Sequence, residues 1–540
     1  MNLVVRNARI WTGDRTNPWA TTLAIRDGRI TAVGSADDVT DVGRDSVDID
    51  ADGHFVMPGV VDSHNHIRLG SGDRAVQLAG ASSLDEVRVR IGAWLTQHPD
   101  ATWVYGEGFD YSALPGGRRP RAEDLDGATG GRPAMLLDYS VHSAWFNRAA
   151  LSELGIGRGT TRVPYGTFEQ DDRTGDPTGY LSDFATYGLS RAGLAALEAV
   201  VPAFGLGAQY ARVRAGLRMA ARFGITTVVE PQNSLDDLRL FDRARDEGDL
   251  HARVIAALFH PVGTTDADLD EFAAAASAYD DEWLRAGPIK LYIDDIVEPH
   301  TAAMLEPYAN RPDTRGHTYY GATEFDDLVA RLDARGFQCF VHATGDRGNQ
   351  VVLDAFAHAQ RVNGVRDSRH QIVHVECLDA ADVGRFAELG VVACMQPRHC
   401  APEIVSEWRA NVGAGRERYA WPMRSLVDSG AAVAFSSDWN VAEMDPMIGI
   451  YTALTRASLD GSSSWVPQER VDIDTALRSY TSVGAWANFT DHDRGVLSPG
   501  RLGDLVMLSQ NPFEILPAAL LDTTALLTVV GGNPVHDGRS

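Results

Sequence analysis

The chain has 540 residues, of which 44% are hydrophobic and 23% are charged, so it is long enough to bury a large core. Its formal net charge of -25 argues against a surface for nucleic acid or anionic membranes, because most of the exterior would repel a phosphate backbone. No apolar run reaches the roughly 20 residues needed to cross a bilayer. We therefore expect a globular protein whose partner is a small-molecule substrate, and a homodimer is compatible with the sequence.

The N-terminal segment and the cysteines indicate the compartment. Residues 1–10 alternate between apolar and polar side chains and then meet a turn, which favours a first β-strand over a signal peptide. Four cysteines lie in or beside apolar segments without paired C-x-x-C spacing: Cys339, Cys377, Cys394 and Cys400. This pattern is typical of buried free thiols in a reducing compartment, so the sequence predicts a cytoplasmic protein.

Both ends of the chain have the pattern of β-structure. Over residues 1–57, short alternating runs are broken by Gly, Asp and Asn, and Asp27-Gly28 is a strong hairpin signal. Two further strand-like runs lie near the C-terminus, over residues 503–509 and 526–535. The sequence predicts one small β-sandwich built from both termini, with residues 1–57 and 495–540 forming a composite domain.

The middle of the chain alternates between helical periodicity and short apolar runs. The helical segments, each with the strand-like run that follows it, are 235–247 with 252–259, 324–336 with 337–342, and 380–389 with 391–395. Such alternation with short connections indicates parallel βα units. We expect an α/β fold with a (β/α)8 TIM-type barrel over residues 58–494, and in that architecture the chemistry lies at the carboxyl ends of the strands.

One stretch, at about residues 70–207, fits this alternation poorly. It contains Pro- and Gly-rich segments at 114–120 and 175–179, which are typical of turns and loops. We therefore interpret it as an insertion over the barrel mouth.

Lysine occurs once, at Lys290, in a chain with 49 Lys and Arg residues, so all the other cationic side chains are arginine. An amine can lose its proton and add to carbon dioxide, whereas a guanidinium effectively stays protonated. The resulting carbamate has two oxygens that can bridge two metal ions. Because residues 287–295 have the pattern of a buried strand, we predict a carbamate at Lys290; the alternative is a surface lysine without such a role.

Histidines and one aspartate follow apolar runs at several separate points in the chain. His64 and His66 come after the run 55–61 and, being two residues apart, face the same side of a strand, as adjacent metal ligands do. The residues that close or follow three further runs are His342, His374 and Asp438. A single histidine at a strand end is more often a packed core residue than a ligand. Because barrel strands end on one rim, we nevertheless predict that these residues form one site with Lys290.

Five segments carry a family resemblance: residues 56–66, 287–295, 341–347, 369–374 and 436–439. They resemble the amidohydrolase superfamily, specifically its YtcJ-like branch (amidohydrolase family 3), which includes N-substituted formamide deformylases. The resemblance runs nearly from end to end of the chain and implies one or two divalent metal ions, with zinc expected. The metal ligands that it implies here are His64, His66, carboxylated Lys290, His342, His374 and Asp438.

The chain departs from the family pattern just after Lys290. Where the family commonly has Asp-Gly, this chain has Asp294-Asp295. The difference bears on the shape of the loop beside the carbamate, and hence on the substrate.

Three residues outside the ligand set are candidates for substrate binding. Residues 141–147 are similar to a family motif within the insertion, so His142 could reach the pocket; a helix-cap or packing role is the alternative. Trp103 and Trp439 lie in the predicted insertion and at a strand end, where they could line an apolar acceptor site. Aromatic residues in such places more often pack than bind.

The predicted chemistry is hydrolysis of a C–N bond other than a peptide bond, in an amide or an N-substituted formamide. A divalent ion lowers the pKa of a bound water to about 7, so that hydroxide can attack the carbonyl at neutral pH. Asp438 is the predicted catalytic residue, which carries a proton from that water to the departing amine. The same residues are compatible with cyclic amide or lactone hydrolysis, with deamination, or with a catalytically silent binding or regulatory relative.

Overall fold

The computed structural model describes residues 2–39, 46–69 and 75–539. Three of the predicted segment limits, at residues 1, 70 and 540, lie outside the described residues. The predicted division into domains stays a prediction.

Strands and helices alternate through most of the described chain. The strands are β1 Leu3–Arg6, β2 Arg9–Trp11, β3 Trp19–Ala20, β4 Thr22–Arg26, β5 Arg29–Gly34, β6 Val47–Asp50, β7 Phe55–Pro58, β8 Val60–Asp62, β9 Val76–Gln77, β10 Val104–Phe109, β11 Ala134–Asp138, β12 Ala144–Phe146, β13 Arg162–Val163, β14 Gly166–Gln170, β15 Pro177–Ser182, β16 Ile225–Asn233, β17 Arg253–Phe259, β18 Leu284–Tyr292, β19 Cys339–Ala343, β20 Gln371–His374, β21 Val392–Met395, β22 Ala432–Phe435, β23 Leu505–Leu508, β24 Ala525–Val530 and β25 Asn533–Asp537.

The α-helices are α1 Leu84–Gln97, α2 Glu123–Asp126, α3 Arg148–Glu153, α4 Phe184–Tyr187, α5 Arg191–Glu198, α6 Leu206–Arg222, α7 Leu238–Asp246, α8 Asp266–Ala278, α9 Ala322–Ala334, α10 Asp346–Asn363, α11 Val383–Leu389, α12 Ser406–Val412, α13 Met423–Asp428, α14 Pro446–Thr455, α15 Ile473–Ser479 and α16 Ser482–Ala487. Short 3-10 helices lie at Tyr111–Ala113, Pro115–Gly117, Pro202–Phe204, Pro397–Cys400, Ala414–Tyr419, Pro467–Glu469 and Pro517–Asp522.

An eight-stranded parallel sheet forms the centre of the molecule. Its order is β8-β16-β17-β18-β19-β20-β21-β22, so each strand pairs with the next one along the chain. The two edge strands approach each other, because the Ser63 N–H donates to the Phe435 carbonyl at 3.4 Å and the Asp438 N–H donates to the His64 carbonyl at 2.8 Å. The sheet is therefore a nearly closed parallel barrel in an α/β fold, in agreement with the predicted TIM-type architecture.

Local sequence accounts for these barrel elements. Every residue of β17 and of β19 is buried, as expected for parallel strands that are covered on both faces. Helix α8 begins at a capping box in which Thr265 Oγ1 accepts the Asp268 N–H at 3.3 Å and the Asp268 carboxylate accepts the Thr265 N–H at 2.7 Å. Apolar runs thus become strands, and the polar residues between them begin helices.

The two ends of the chain contribute to one sheet beside the barrel. This six-stranded sheet has the order β25-β24-β23-β7-β2-β3, and a four-stranded sheet has the order β5-β4-β1-β6. The N-terminal β7 and the C-terminal β23 pair antiparallel, with Val56 opposite Met507. These strands come from the two terminal segments over which the sequence predicts a β-sandwich.

The stretch between β8 and β16 contains a sheet of its own. Its seven strands have the order β13-β14-β15-β12-β11-β10-β9 and enclose separate apolar clusters. The hairpin between β11 and β12 turns at residues 139–143, and this turn contributes to the site described below.

Among the helices of the described residues, we find none with the length and apolar character that crossing a bilayer requires. The four cysteines are buried and carry free thiols, as predicted.

A buried ion pair joins the C-terminal strands to the barrel. Arg253 opens β17, and its guanidinium binds both carboxylate oxygens of Asp504 at 2.7 and 2.9 Å. Asp504 Oδ1 also accepts the Gly531 N–H at 2.7 Å, and Arg253 Nη1 donates to the Glu282 carbonyl at 2.9 Å. Both charged groups are buried. The free-energy cost of burying each charge is therefore offset mainly by the opposite charge of its partner.

Replacing Asp504 by Ala should lower the free energy of unfolding by about 3–5 kcal/mol, because the Arg253 guanidinium stays buried without its counter-charge. The measurement is the midpoint and slope of urea unfolding. The matched control is Asp428→Ala, which removes an exposed pair with Arg424 and should cost less than about 1 kcal/mol. Equally small effects of the two variants would contradict a stabilising role for the buried pair.

Candidate metal centre

Barrel topology brings the predicted site residues to one end of the sheet. All of them lie in or directly after a strand: His64 and His66 after β8, Lys290 in β18, His342 in β19, His374 at the end of β20 and Asp438 after β22. Because neighbouring strands of this sheet are parallel, their carboxyl ends meet on the same rim.

Three of the predicted ligands converge. Asp438 Oδ1 lies 3.2 Å from His64 Nε2 and 3.2 Å from His66 Nε2, and the ligand atoms of the three residues all lie within 4.8 Å of one another. Despite this proximity, Oδ1 accepts no hydrogen bond from the described residues. A buried oxygen without a partner is costly, and convergence without hydrogen bonds is the arrangement that a shared cation requires.

His342 and His374 lie beside this group. Their ring centroids are 4.5 Å apart, and the His374 ring lies 5.3 Å from that of His64. His342 Nε2 lies 3.2 Å from the backbone carbonyl of Asp295; since a carbonyl only accepts, Nε2 donates and Nδ1 keeps its lone pair. His374 Nδ1 lies 2.8 Å from Gln396 Oε1, so by the same reasoning its Nε2 keeps the lone pair.

Lys290 is fully buried, which excludes the alternative of a surface lysine. Its Nζ has no hydrogen-bond partner among the described residues and lies 4.6 Å from the centroid of the Tyr292 ring and 5.4 Å from that of Phe340. Burial lowers the pKa of the Lys290 ammonium to about 7. A neutral amine is therefore accessible near neutral pH.

Burial also sets the charge of the imidazoles. It lowers the pKa of His64 to about 3, and it lowers the pKa of His342 and of His374 well below the ordinary value. Near pH 7 the three rings are neutral and offer lone pairs. Neutral imidazoles, a buried carboxylate and an unpartnered amine fit a divalent ion, and imidazole with carboxylate is a donor set that zinc takes.

A cavity of about 80 Å³ opens onto these residues. The predicted site residues that line it are His142, His342, His374 and Asp438. Ile404, Val405 and Trp421 form part of an apolar wall. The cavity thus places apolar surface beside the predicted ligands, as a small-molecule site requires.

His142 enters this cavity from the turn between β11 and β12. Its Nδ1 is hydrogen-bonded to Asp295 Oδ1, and its ring centroid lies 5.6 Å from that of His342. Burial would lower the pKa of His142, but the carboxylate of Asp295 outweighs it and raises that pKa. The structure therefore brings this insertion residue beside the barrel histidines.

The two tryptophans proposed for substrate binding lie elsewhere. Trp103 belongs to the apolar cluster of the insertion, together with Met135 and Phe204. Trp439 follows Asp438 and belongs to the main barrel core. Neither tryptophan is among the described residues that line the cavity. Their role in substrate binding therefore stays a prediction.

Sequence reasoning missed three cavity residues, His399, Glu376 and Glu298. His399 Nε2 lies 3.7 Å from Asp438 Oδ2, and the ligand atoms of His374, Glu376 and His399 lie within 4.8 Å of one another. Glu376 could have been found, because it is two residues after His374. His399 lies in a 3-10 helix after β21, where no periodicity marks it.

Burial of the cavity carboxyl groups shifts their ionisation. It raises the pKa of Glu298 to about 7 and that of Glu376 well above its ordinary value, and the carboxylate of Glu298 adds to the effect on Glu376. This part of the cavity therefore favours protonated carboxyl groups or a nearby cation.

Comparisons with known proteins agree with this geometry. The chain matches the sequence profile described as "Amidohydrolase family" over residues 48–536. It is 30% identical over 550 aligned positions to Protein LONG AFTER FAR-RED 3 of Arabidopsis thaliana, covering 99% of this chain and 91% of that protein. It is 26% identical over 546 positions to N-substituted formamide deformylase of Arthrobacter pascens, covering 98% and 97%.

A solved structure shows the same fold. An uncharacterized metal-dependent hydrolase from Pyrococcus furiosus matches with a TM-score of 0.72 at 24% identity, over 95% of this chain and 100% of that one. The resemblance predicted from five sequence segments is thus confirmed by a profile match that spans most of the chain. The chain belongs to the amidohydrolase family.

Proposed function

We propose that this chain is a metal-dependent hydrolase that cleaves the C–N bond of an amide or an N-substituted formamide. The main support is the convergence of His64, His66 and Asp438 at the strand ends of a barrel that also buries the lone lysine. Family membership supports hydrolysis, and the relative from Arthrobacter pascens is an N-substituted formamide deformylase.

One or two divalent ions, zinc in this proposal, would be held at the cavity. The residues for the first ion are His64, His66 and the carbamate of Lys290, and those for a second ion are His342 and His374, with Asp438 beside both. When bound, such an ion would polarise a substrate carbonyl and lower the pKa of a water molecule to about 7.

Lys290 becomes a ligand by adding to carbon dioxide. The neutral Nζ forms a bond to the carbon of carbon dioxide while one C–O π bond opens onto its oxygen. The nitrogen then loses one proton to water, and a carbamate anion with two ligand oxygens remains. The absence of any hydrogen-bond partner for Nζ among the described residues supports this step. The anion then compensates positive charge that would otherwise be costly to bury.

Asp438 is the proposed proton carrier. It lines the cavity, and its Oδ2 lies 3.7 Å from His374 Nδ1 while Oδ1 faces His64 and His66. One carboxylate can take the proton of the water that attacks the carbonyl carbon and pass it to the nitrogen as the C–N bond breaks. The products are a carboxylic acid, which is formic acid for a formamide, and an amine.

The protein supplied with zinc and bicarbonate should release amines from members of a panel of N-acyl and N-formyl amines. Asp438→Asn is the matched control. It should keep its bound metal, because an amide oxygen remains at this position, while kcat falls by about 10² or more. Unchanged turnover in this variant would remove Asp438 from the proton path.

The same panel separates the alternatives when lactams, lactones and amino-substituted rings are included. Turnover confined to one of those classes would replace the acyclic amide in the proposal. Metal-loaded protein without turnover on any member would favour a catalytically silent relative.

Replacing Lys290 by Arg should abolish both metal binding and activity, because the positive charge stays but a carbamate can no longer form. Metal per chain is measured by elemental analysis, and far-UV circular dichroism checks that the variant is folded. Lys290→Ala is the second variant: it leaves space, so added formate or acetate should restore part of the bound metal. Full metal content and turnover in Lys290→Arg would contradict the bridging role.

A further inference from the structure

The turn that carries His142 is organised around one buried carboxylate. Asp138, the last residue of β11, accepts the Ser143 N–H at 3.1 Å through Oδ1. Its Oδ2 accepts the Ser140 hydroxyl at 2.8 Å and the Tyr111 hydroxyl at 3.1 Å. Both sides of the turn are thus fixed to the same side chain.

The turn holds its central residue in an unfavourable conformation. Val141 has a φ of 62°, in the left-handed region that a β-branched residue rarely adopts. Its N–H donates to the Asp138 carbonyl at 3.2 Å, and the Phe184 N–H donates to the carbonyl of His142 at 2.9 Å. Backbone strain that the surroundings enforce tends to lie at functional sites, and the residue after Val141 is the one that enters the cavity.

His142 is held from the other side by the barrel. Its Nδ1 donates to Asp295 Oδ1, and Asp295 Oδ2 accepts the Thr301 hydroxyl at 2.7 Å. The side chains of His142 and Asp295 are only 12% and 8% exposed. Because Nδ1 is engaged with Asp295, Nε2 is the atom left for a ligand in the cavity that His142 lines.

The barrel half of this contact comes from Asp295, which lies just after β18. Its carboxylate holds the imidazole of a histidine that belongs to the insertion.

We propose that Asp295 is a positioning residue that directs His142 Nε2 onto the amide group of the bound substrate. The inference rests on the proposed function and adds a specificity determinant to it. An amide offers a carbonyl oxygen and, when secondary, an N–H, so Nε2 can hydrogen-bond to it with or without a proton. The ring centroids of His142 and His342 are 5.6 Å apart, so a substrate held by Nε2 would lie beside a proposed metal ligand.

The test is a double-mutant cycle on the full-length, metal-loaded protein. Asp295→Ala and His142→Ala should each raise KM about tenfold, the effect of one lost hydrogen bond of ordinary net strength, with metal per chain unchanged. The double variant should be no worse than either single variant, because both remove the same contact. Asp295→Asn keeps an acceptor oxygen and should restore most of the affinity.

The matched control is a second buried His–Asp pair away from the cavity. His370 Nε2 lies 3.2 Å from Asp333 Oδ1, and His370 precedes β20, at the opposite end of the barrel. Asp333→Asn should leave KM unchanged. Unchanged KM in Asp295→Ala and His142→Ala, or additive effects in the double variant, would overturn the proposal.

The substrate for this cycle is the best one that the wild-type protein turns over. If that is a lactam or a lactone, the acyclic amide proposal fails while the pairing is still tested, because these substrates also present a carbonyl. A measurement without turnover uses protein labelled with ¹⁵N-histidine and N-methylformamide as the probe. The ¹⁵N resonance that is missing from the spectrum of His142→Ala belongs to His142. On addition of the probe, this resonance should shift to saturation in the wild-type protein and stay fixed in Asp295→Ala. A wild-type resonance that does not move would overturn the proposal.

Discussion

The amine of Lys290 is fully buried and has no hydrogen-bond partner among the described residues. Burying an ammonium ion without a partner carries a large free-energy cost, and burial accordingly favours the neutral amine. The proposed conversion into a carbamate would remove this cost in a different way, because an anionic ligand and neutral imidazoles could then share a cation. The nearly closed barrel makes this sharing feasible, since its parallel strands bring His64, His66 and Asp438 to within ligand distance of one another.

The convergence of His64, His66 and Asp438 could be predicted because each of these residues is marked by its own local sequence. A polar residue that ends an apolar run is visible without knowledge of the fold, and the barrel rule then places several such residues on one rim. His399 could not be predicted in this way. It lies in the 3-10 helix after β21, and its position 3.7 Å from Asp438 depends on how that helix turns back over the barrel.

The same distinction applies to the fold. The run predicted over residues 252–259 is the strand Arg253–Phe259, and the helix predicted over 235–247 is Leu238–Asp246. The Gly- and Pro-rich stretch within the insertion gave no sign of a seven-stranded sheet, because its strands are short and pair with partners remote in sequence, such as β12 with β15. Pairings of that kind depend on tertiary contacts rather than on local pattern, and they are what brings His142 to the barrel.

The most direct test of this account is a crystal structure of the protein loaded with zinc and bicarbonate, with anomalous diffraction recorded at the zinc absorption edge. The account predicts an anomalous peak among His64, His66 and Asp438, with extra density on Lys290 Nζ that corresponds to a carbamate bound to the same ion. Unmodified Lys290 and no anomalous peak at these residues, in crystals equilibrated with zinc and bicarbonate, would contradict it.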